Sequence, residues 1–72
     1  MPSGTELELL KIIRDEGGEA NLRVVAHKLG SSWGLDYVRL VCNSLGRADY
    51  IDVLSSGKLR ITAKGKAAVE GK

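Results

Sequence analysis

Apolar residues recur at helical spacing from the start of this chain. In the stretch LELLKIIRDE, Leu9, Leu10 and Ile13 form a central stripe, and Leu7 and Ile12 widen it on either side. Thr5 and Glu8 stand three apart just ahead of that stripe, the spacing of a capping box, so the helix is predicted to open at Thr5. Gly17-Gly18 ends it, because glycine accepts the left-handed conformation at a helix C-terminus. The stripe is wider than one small core needs, which points to a subunit contact along this helix.

Glu19-Ala20 has room for one or two ladder bonds only. Asn21 is a good N-cap for the helix LRVVAHKL, whose Leu22, Val25, Ala26 and Leu29 face inward, and Gly30 terminates it. SSWGL is a turn. From about Asp36 to Arg47 a third helix sets Val38, Val41, Cys42 and Leu45 on one face. Leu40 falls on the opposite face, among Asp36, Arg39, Asn43, Ser44 and Arg47.

After Ala48-Asp49 the period changes to two. YIDVL reads as a strand with Ile51 and Val53 on one face, Ser55-Ser56-Gly57 as a hairpin turn, and KLRIT as the returning strand. On that strand Leu59 and Ile61 face inward, and Lys58, Arg60 and Thr62 outward. Thr62 caps a last short helix, AKGKAAVE, with Ala67 and Ala68 or Val69 inward, and Gly65 weakens it.

Composition narrows the picture. Seventy-two residues make one domain, 43% hydrophobic residues with 28% charged is ordinary for a soluble chain, and the absence of Phe leaves an aliphatic core. The formal net charge is only +2. Its distribution says more: Glu6, Glu8, Asp15, Glu16 and Glu19 crowd the first third, while residues 58–66 carry four basic residues and no acid. The single cysteine excludes an intrachain disulfide, and Cys42 reads as a small buried hydrophobe. One Cys and one His argue against a zinc site or a catalytic thiol. No paired nucleophile and base, phosphate loop or metal cluster is evident, so no enzyme, cofactor or small-molecule substrate is expected. The MPSG start lacks a signal pattern and no apolar run approaches membrane-spanning length, so no membrane association and a cytoplasmic location are expected.

Three stretches, LRVVAHKLG, VRLVCNSLGRADYIDV and LRITAKG, in this order and spacing resemble the winged helix-turn-helix superfamily, in the manner of small bacterial and archaeal DNA-binding regulators. The resemblance spans roughly residues 5–70, read as one domain after a disordered lead of residues 1–4. It implies an α+β fold: a three-helix core, a C-terminal β-hairpin wing opened by Tyr50-Ile51, and a short final helix entered through Thr62-Ala63-Lys64-Gly65. It also implies that the third helix enters a major groove while the hairpin touches the phosphate backbone. The chain departs from the family pattern twice. The turn GSSWGLD is about two residues longer than usual for the family, and Asp49 stands where Gly is often found. Asp tolerates the left-handed conformation better than most residues, so that turn survives.

The residues give this reading partial support of their own. Arg39 and Arg47 suit guanine edges, Asn43 suits adenine, and Leu40 suits a thymine methyl. Lys58 and Arg60 alternate outward on the hairpin with only Asp52 nearby, and Lys64 and Lys66 extend the basic zone. Lys28, Ser31 and Ser32, at the corner between the second and third helices, are further candidates for backbone contacts. The plain alternative also stands: one exposed leucine needs no explanation, the arginines serve solubility, and Asp36 repels phosphate. The expected partner is double-stranded DNA, bound by a homodimer through about 4 phosphate contacts per subunit. The alternative is a winged-helix protein-interaction module that uses Trp33, Tyr37 and Leu40. Trp33 is otherwise an anchor holding the long turn against the third helix, and Tyr50 packs at the base of the wing.

Overall fold

Glycines and one aspartate decide where the helices stop, and short strands occupy the intervals. The computed structural model describes residues 4–30 and 33–70. In it α1 spans Gly4–Asp15, β1 Glu19–Asn21, α2 Leu22–Leu29, α3 Leu35–Arg47, β2 Ile51–Val53, β3 Lys58–Ile61 and α4 Ala63–Val69. These described residues form a small α+β domain of four helices and a three-stranded antiparallel sheet in the order β1-β3-β2.

Two helices end by the same device. After α1 the Gly18 N–H donates to the Ile13 carbonyl and the Gly17 N–H to that of Arg14, both at 3.0 Å, with φ of 91° at Gly17. After α3 the Tyr50 N–H donates to Leu45 at 3.0 Å and the Asp49 N–H to Gly46 at 3.1 Å. These bonds satisfy carbonyls that a helix end leaves open, and they require a left-handed residue. Asp49 supplies it with φ of 67°, the only non-glycine with positive φ among the described residues. Asn21 caps α2 by accepting the Arg23 N–H at 2.9 Å, and Gly30 closes it at φ of 99°. The start of α1 departs from expectation. The helix already includes Gly4, so Thr5 lies inside the first turn rather than at the cap; residues 1–3 lie outside the described residues. Helix α3 opens at Leu35, one residue early, behind Gly34, which makes no side-chain cap bond.

Leu9, Leu10, Ile13, Val25 and Val38 are fully buried, joined by Cys42, Leu45, Ile51 and Leu59. Each such aliphatic side chain contributes about 1.5–3 kcal/mol on burial. Helix α1 packs against α2, α4, β1 and β3, and Leu7 and Ile12 lie half-buried on the same core. The stripe thus packs on the protomer's own core, while Leu7 and Ile12 keep part of their surface in solvent. In the hairpin Leu59, Ile61 and Ile51 point inward as the alternation predicts, but Val53 stays 46% exposed. It pairs with Leu59 in register and lies over Gly46 of α3, beyond the edge of the core.

The segment 62–65 holds the α3–β2 turn in place. The Thr62 Oγ1 accepts the Gly65 N–H at 3.1 Å, which caps α4, and donates to the Asp49 carbonyl at 2.6 Å. Lys64 Nζ donates to the Ala48 carbonyl at 2.8 Å and lies 4.7 Å from the centre of the half-buried Tyr50 ring. Gly65 is buried, and a Cβ there would collide with the Tyr50 carbonyl oxygen and come within 2.8 Å of Ile61 Cγ1. The residue that weakens α4 by propensity is the one that lets α4 pass over the turn. Ala67, expected inward with its neighbours, is exposed, and Ala68 and Val69 do the packing. Among the described residues no helix is long and apolar enough to cross a membrane.

Candidate nucleic-acid interface

Burial of Val38, Val41, Cys42 and Leu45 fixes the rotation of α3, and so fixes what it presents outward. Arg39, Leu40, Asn43 and Arg47 are all exposed along that outer face, with Leu40 at 69%. Asp36 and Arg39 meet only at 3.9 Å, with the aspartate side chain fully in solvent, a contact of little energy. Arg47 has no ion-pair partner among the described residues. Ser44, placed on the outward face by its spacing, is engaged elsewhere: its hydroxyl donates to Glu6 of α1 at 3.3 Å.

A groove runs between α3 and the hairpin. One hollow of about 250 Å³ lies among Arg39, Cys42 and Asn43 on the helix side and Leu54, Ser55 and Gly57 on the hairpin side. A second, of about 420 Å³, lies among Asn43, Arg47, Asp52 and Val53. Asn43 belongs to both, so Arg39, Asn43 and Arg47 are brought together along one concave track. Asp52 borders the same track and tempers its charge near Arg47. Cys42 forms part of the floor, and burial pushes its thiol up to about 11, which keeps it protonated and inert at neutral pH.

The hairpin differs from the bare basic strand that its sequence suggested. Lys58 and Arg60 do point outward, but they line neither hollow and neither is unpaired. Strand β1 brings Glu19 directly opposite Arg60 and diagonal to Lys58. One carboxylate oxygen lies 2.9 Å from Arg60 Nε, and the other lies 3.5 Å from Lys58 Nζ. The Arg60 hydrogen bond, then the positive charges of Arg60 and Lys58, hold the Glu19 carboxyl below its ordinary 4.5. With Asp52 opposite Arg60 on the other side, this sheet face carries two acids and two bases. The sequence showed Glu19 only as one of the acids of the first third. Its place beside the basic strand depends on the pairing of residues 19–21 with 58–60.

The other candidates fare unevenly. Lys28 is exposed but pairs with Glu16 at 3.1 Å, which ties it to the end of α1. Ser31 and Ser32 lie outside the described residues. Lys64 keeps its charge, but its ammonium is held at the α3–β2 turn by the Ala48 carbonyl and is not free to reach outward. Trp33 is half-buried and meets Tyr37 edge-on at 5.3 Å, so it anchors the turn against the start of α3. Tyr37 itself is half exposed. No protein-family model, curated protein or solved structure matches this chain.

Proposed function

We propose that this chain is a winged helix-turn-helix protein that binds double-stranded DNA through α3, with the β2–β3 hairpin as a lesser contact to the backbone. The observation that carries this reading is the outward ridge of α3. Two arginines and an asparagine stand in solvent along one groove wall, held by a helix whose opposite side is anchored in the core. Guanidinium and carboxamide groups at that spacing suit base edges, and Leu40 between them suits a thymine methyl. The hairpin beside α3 has a slim tip at Ser55, Ser56 and Gly57, where backbone N–H groups meet little steric hindrance.

The pairing of Lys58 and Arg60 with Glu19 lowers the expected number of phosphate contacts. Arg39 and Arg47 bring their charge into the groove between the phosphate strands, and the hairpin cluster keeps a net single charge, so the logarithm of affinity should fall with the logarithm of salt at a slope of about 3 per protomer, rather than about 4. Fluorescence anisotropy with a mixed-sequence duplex at several salt concentrations reads this directly. Arg47→Ala should weaken binding by about 10- to 100-fold, the equivalent of about 1–3 kcal/mol, while Lys11→Ala on α1 should leave it unchanged. Absence of binding at low salt, or binding indifferent to salt, overturns the reading. A mass measurement on the complex reads whether two copies share a site.

One observation favours a second reading. Among the described residues Leu40, Tyr37 and Val53 are the most exposed large apolar side chains, and mixed charges stand among them. A protein-interaction module would present such a surface. Under that reading Leu40→Asp disrupts partner binding and duplex DNA is ignored at every salt concentration.

A further inference from the structure

Glu19 stands where a DNA phosphate would stand if Lys58 and Arg60 gripped a backbone. It offers each cation one carboxylate oxygen, at 3.5 Å and 2.9 Å, from a neighbouring strand whose register fixes its position. Asp52, on the far side of Arg60, makes no ion pair with it, so Glu19 alone of the two acids engages both cations. Asp15, Glu16 and Asp36, by contrast, each meet one base. All three groups are about half exposed, so the pairs are open to competition from an external anion.

We infer that Glu19 is a built-in competitor for the nucleic-acid backbone, occupying Lys58 and Arg60 so that the hairpin contributes little to binding until the carboxylate is displaced or removed. The inference rests on the DNA-binding reading and assigns that interface its affinity-limiting residue. Its effect is to keep non-specific, backbone-driven attraction weak while leaving the base-reading groups of α3 untouched. Backbone contacts carry affinity without sequence information, so a chain that mutes them gains in discrimination what it loses in strength.

The test uses the full chain with Glu19→Gln, which keeps the side-chain length and removes the charge. Removing the one carboxylate charge raises the cluster from a net +1 to +2 and adds about 1 to the salt slope, so the ratio of affinities at about 50 and about 200 mM salt widens by about three- to fourfold. Glu8→Gln, an exposed acid on α1, removes the same charge elsewhere and should leave the slope at the wild-type value. Adding Lys58→Gln and Arg60→Gln to Glu19→Gln should erase the gain. If Glu19→Gln does not fold, as read by far-UV circular dichroism, the double variant Lys58→Gln/Arg60→Gln still decides. On the wild-type background it should lower the salt slope by about 1 rather than about 2, because the Glu19 charge already offsets one of the two cations. A wild-type chain that binds DNA, with Glu19→Gln no steeper than Glu8→Gln, or with the double variant lowering the slope by about 2, overturns this inference alone. If neither wild type nor Glu19→Gln binds duplex at low salt, the DNA reading falls as well.

Discussion

Substituting Gly65 by Ala sets two physical effects against each other. Helix propensity favours alanine in α4 by about 1 kcal/mol. The packing opposes it. The added methyl meets the Tyr50 carbonyl oxygen, a backbone atom already accepting the Thr62 N–H at 3.1 Å, and presses on Ile61 Cγ1. Neither neighbour can swing aside, because Tyr50 is fixed by its bond to Leu45 and Ile61 is core. Forcing a methylene into such a site costs about 1–3 kcal/mol. Lifting α4 to make room stretches the Thr62–Asp49 hydrogen bond, a further loss of about 1 kcal/mol. The net expectation is a loss of about 2 kcal/mol, from a total of about 4–11 kcal/mol for a chain this size. The melting temperature should drop by about 8–16 °C. Urea unfolding followed by circular dichroism gives the free energy, and the midpoint should fall by about 2 M. Ala67→Gly, at an exposed position in the same helix, should also destabilise, by about 1 kcal/mol. Opposite substitutions in one helix thus move stability in the same direction. If Gly65→Ala is neutral or stabilising, propensity governs α4 and the account of the close approach is wrong.

Asp49→Gly relieves a left-handed L-residue and should raise the melting temperature by a few degrees, whereas Asp49→Ala should lower it, both read by thermal denaturation. Cys42 should resist alkylation at neutral pH, with labelling by mass spectrometry keeping pace with global unfolding in urea; fast labelling of the folded chain would contradict its burial. Glu19 has a folded pKa below its ordinary 4.5, so its contribution to stability is present above that value and fades as the pH falls through the folded pKa. Glu19→Gln should therefore flatten the acid limb of a stability–pH curve and leave the neutral plateau's slope unchanged. Leu40→Ala should change stability by less than about 0.5 kcal/mol while weakening duplex binding, since the side chain is mostly in solvent.

The elements that the sequence revealed were those specified within a few residues. Gly17-Gly18, Asn21, Gly30, Gly57 and Thr62 each act on neighbours along the chain, and the structure finds all of them at the positions read for them. The inward face of α3 was equally legible, because periodicity alone defines it. What stayed hidden depends on chain segments that meet only in the fold. Glu19 answers Arg60 across about forty residues, Ser44 donates to Glu6 across a similar span, and Lys64 reaches back to Ala48. Gly65 was read only in part for the same reason: propensity sees the helix it sits in, not the carbonyl lying above it. Val53 kept its place in the alternation but lost its burial, because period two assigns a face and not the extent of the core beneath it.

Strand β1 finds its hydrogen-bonding partner only in β3, far along the chain, and α1 gains one of its packing neighbours only in α4. During synthesis the α1 stripe has to wait for β3 and α4 before its packing is complete. A chain cut short before α4 therefore leaves the part of α1 that α4 covers open to water, and that strip becomes an adhesive surface.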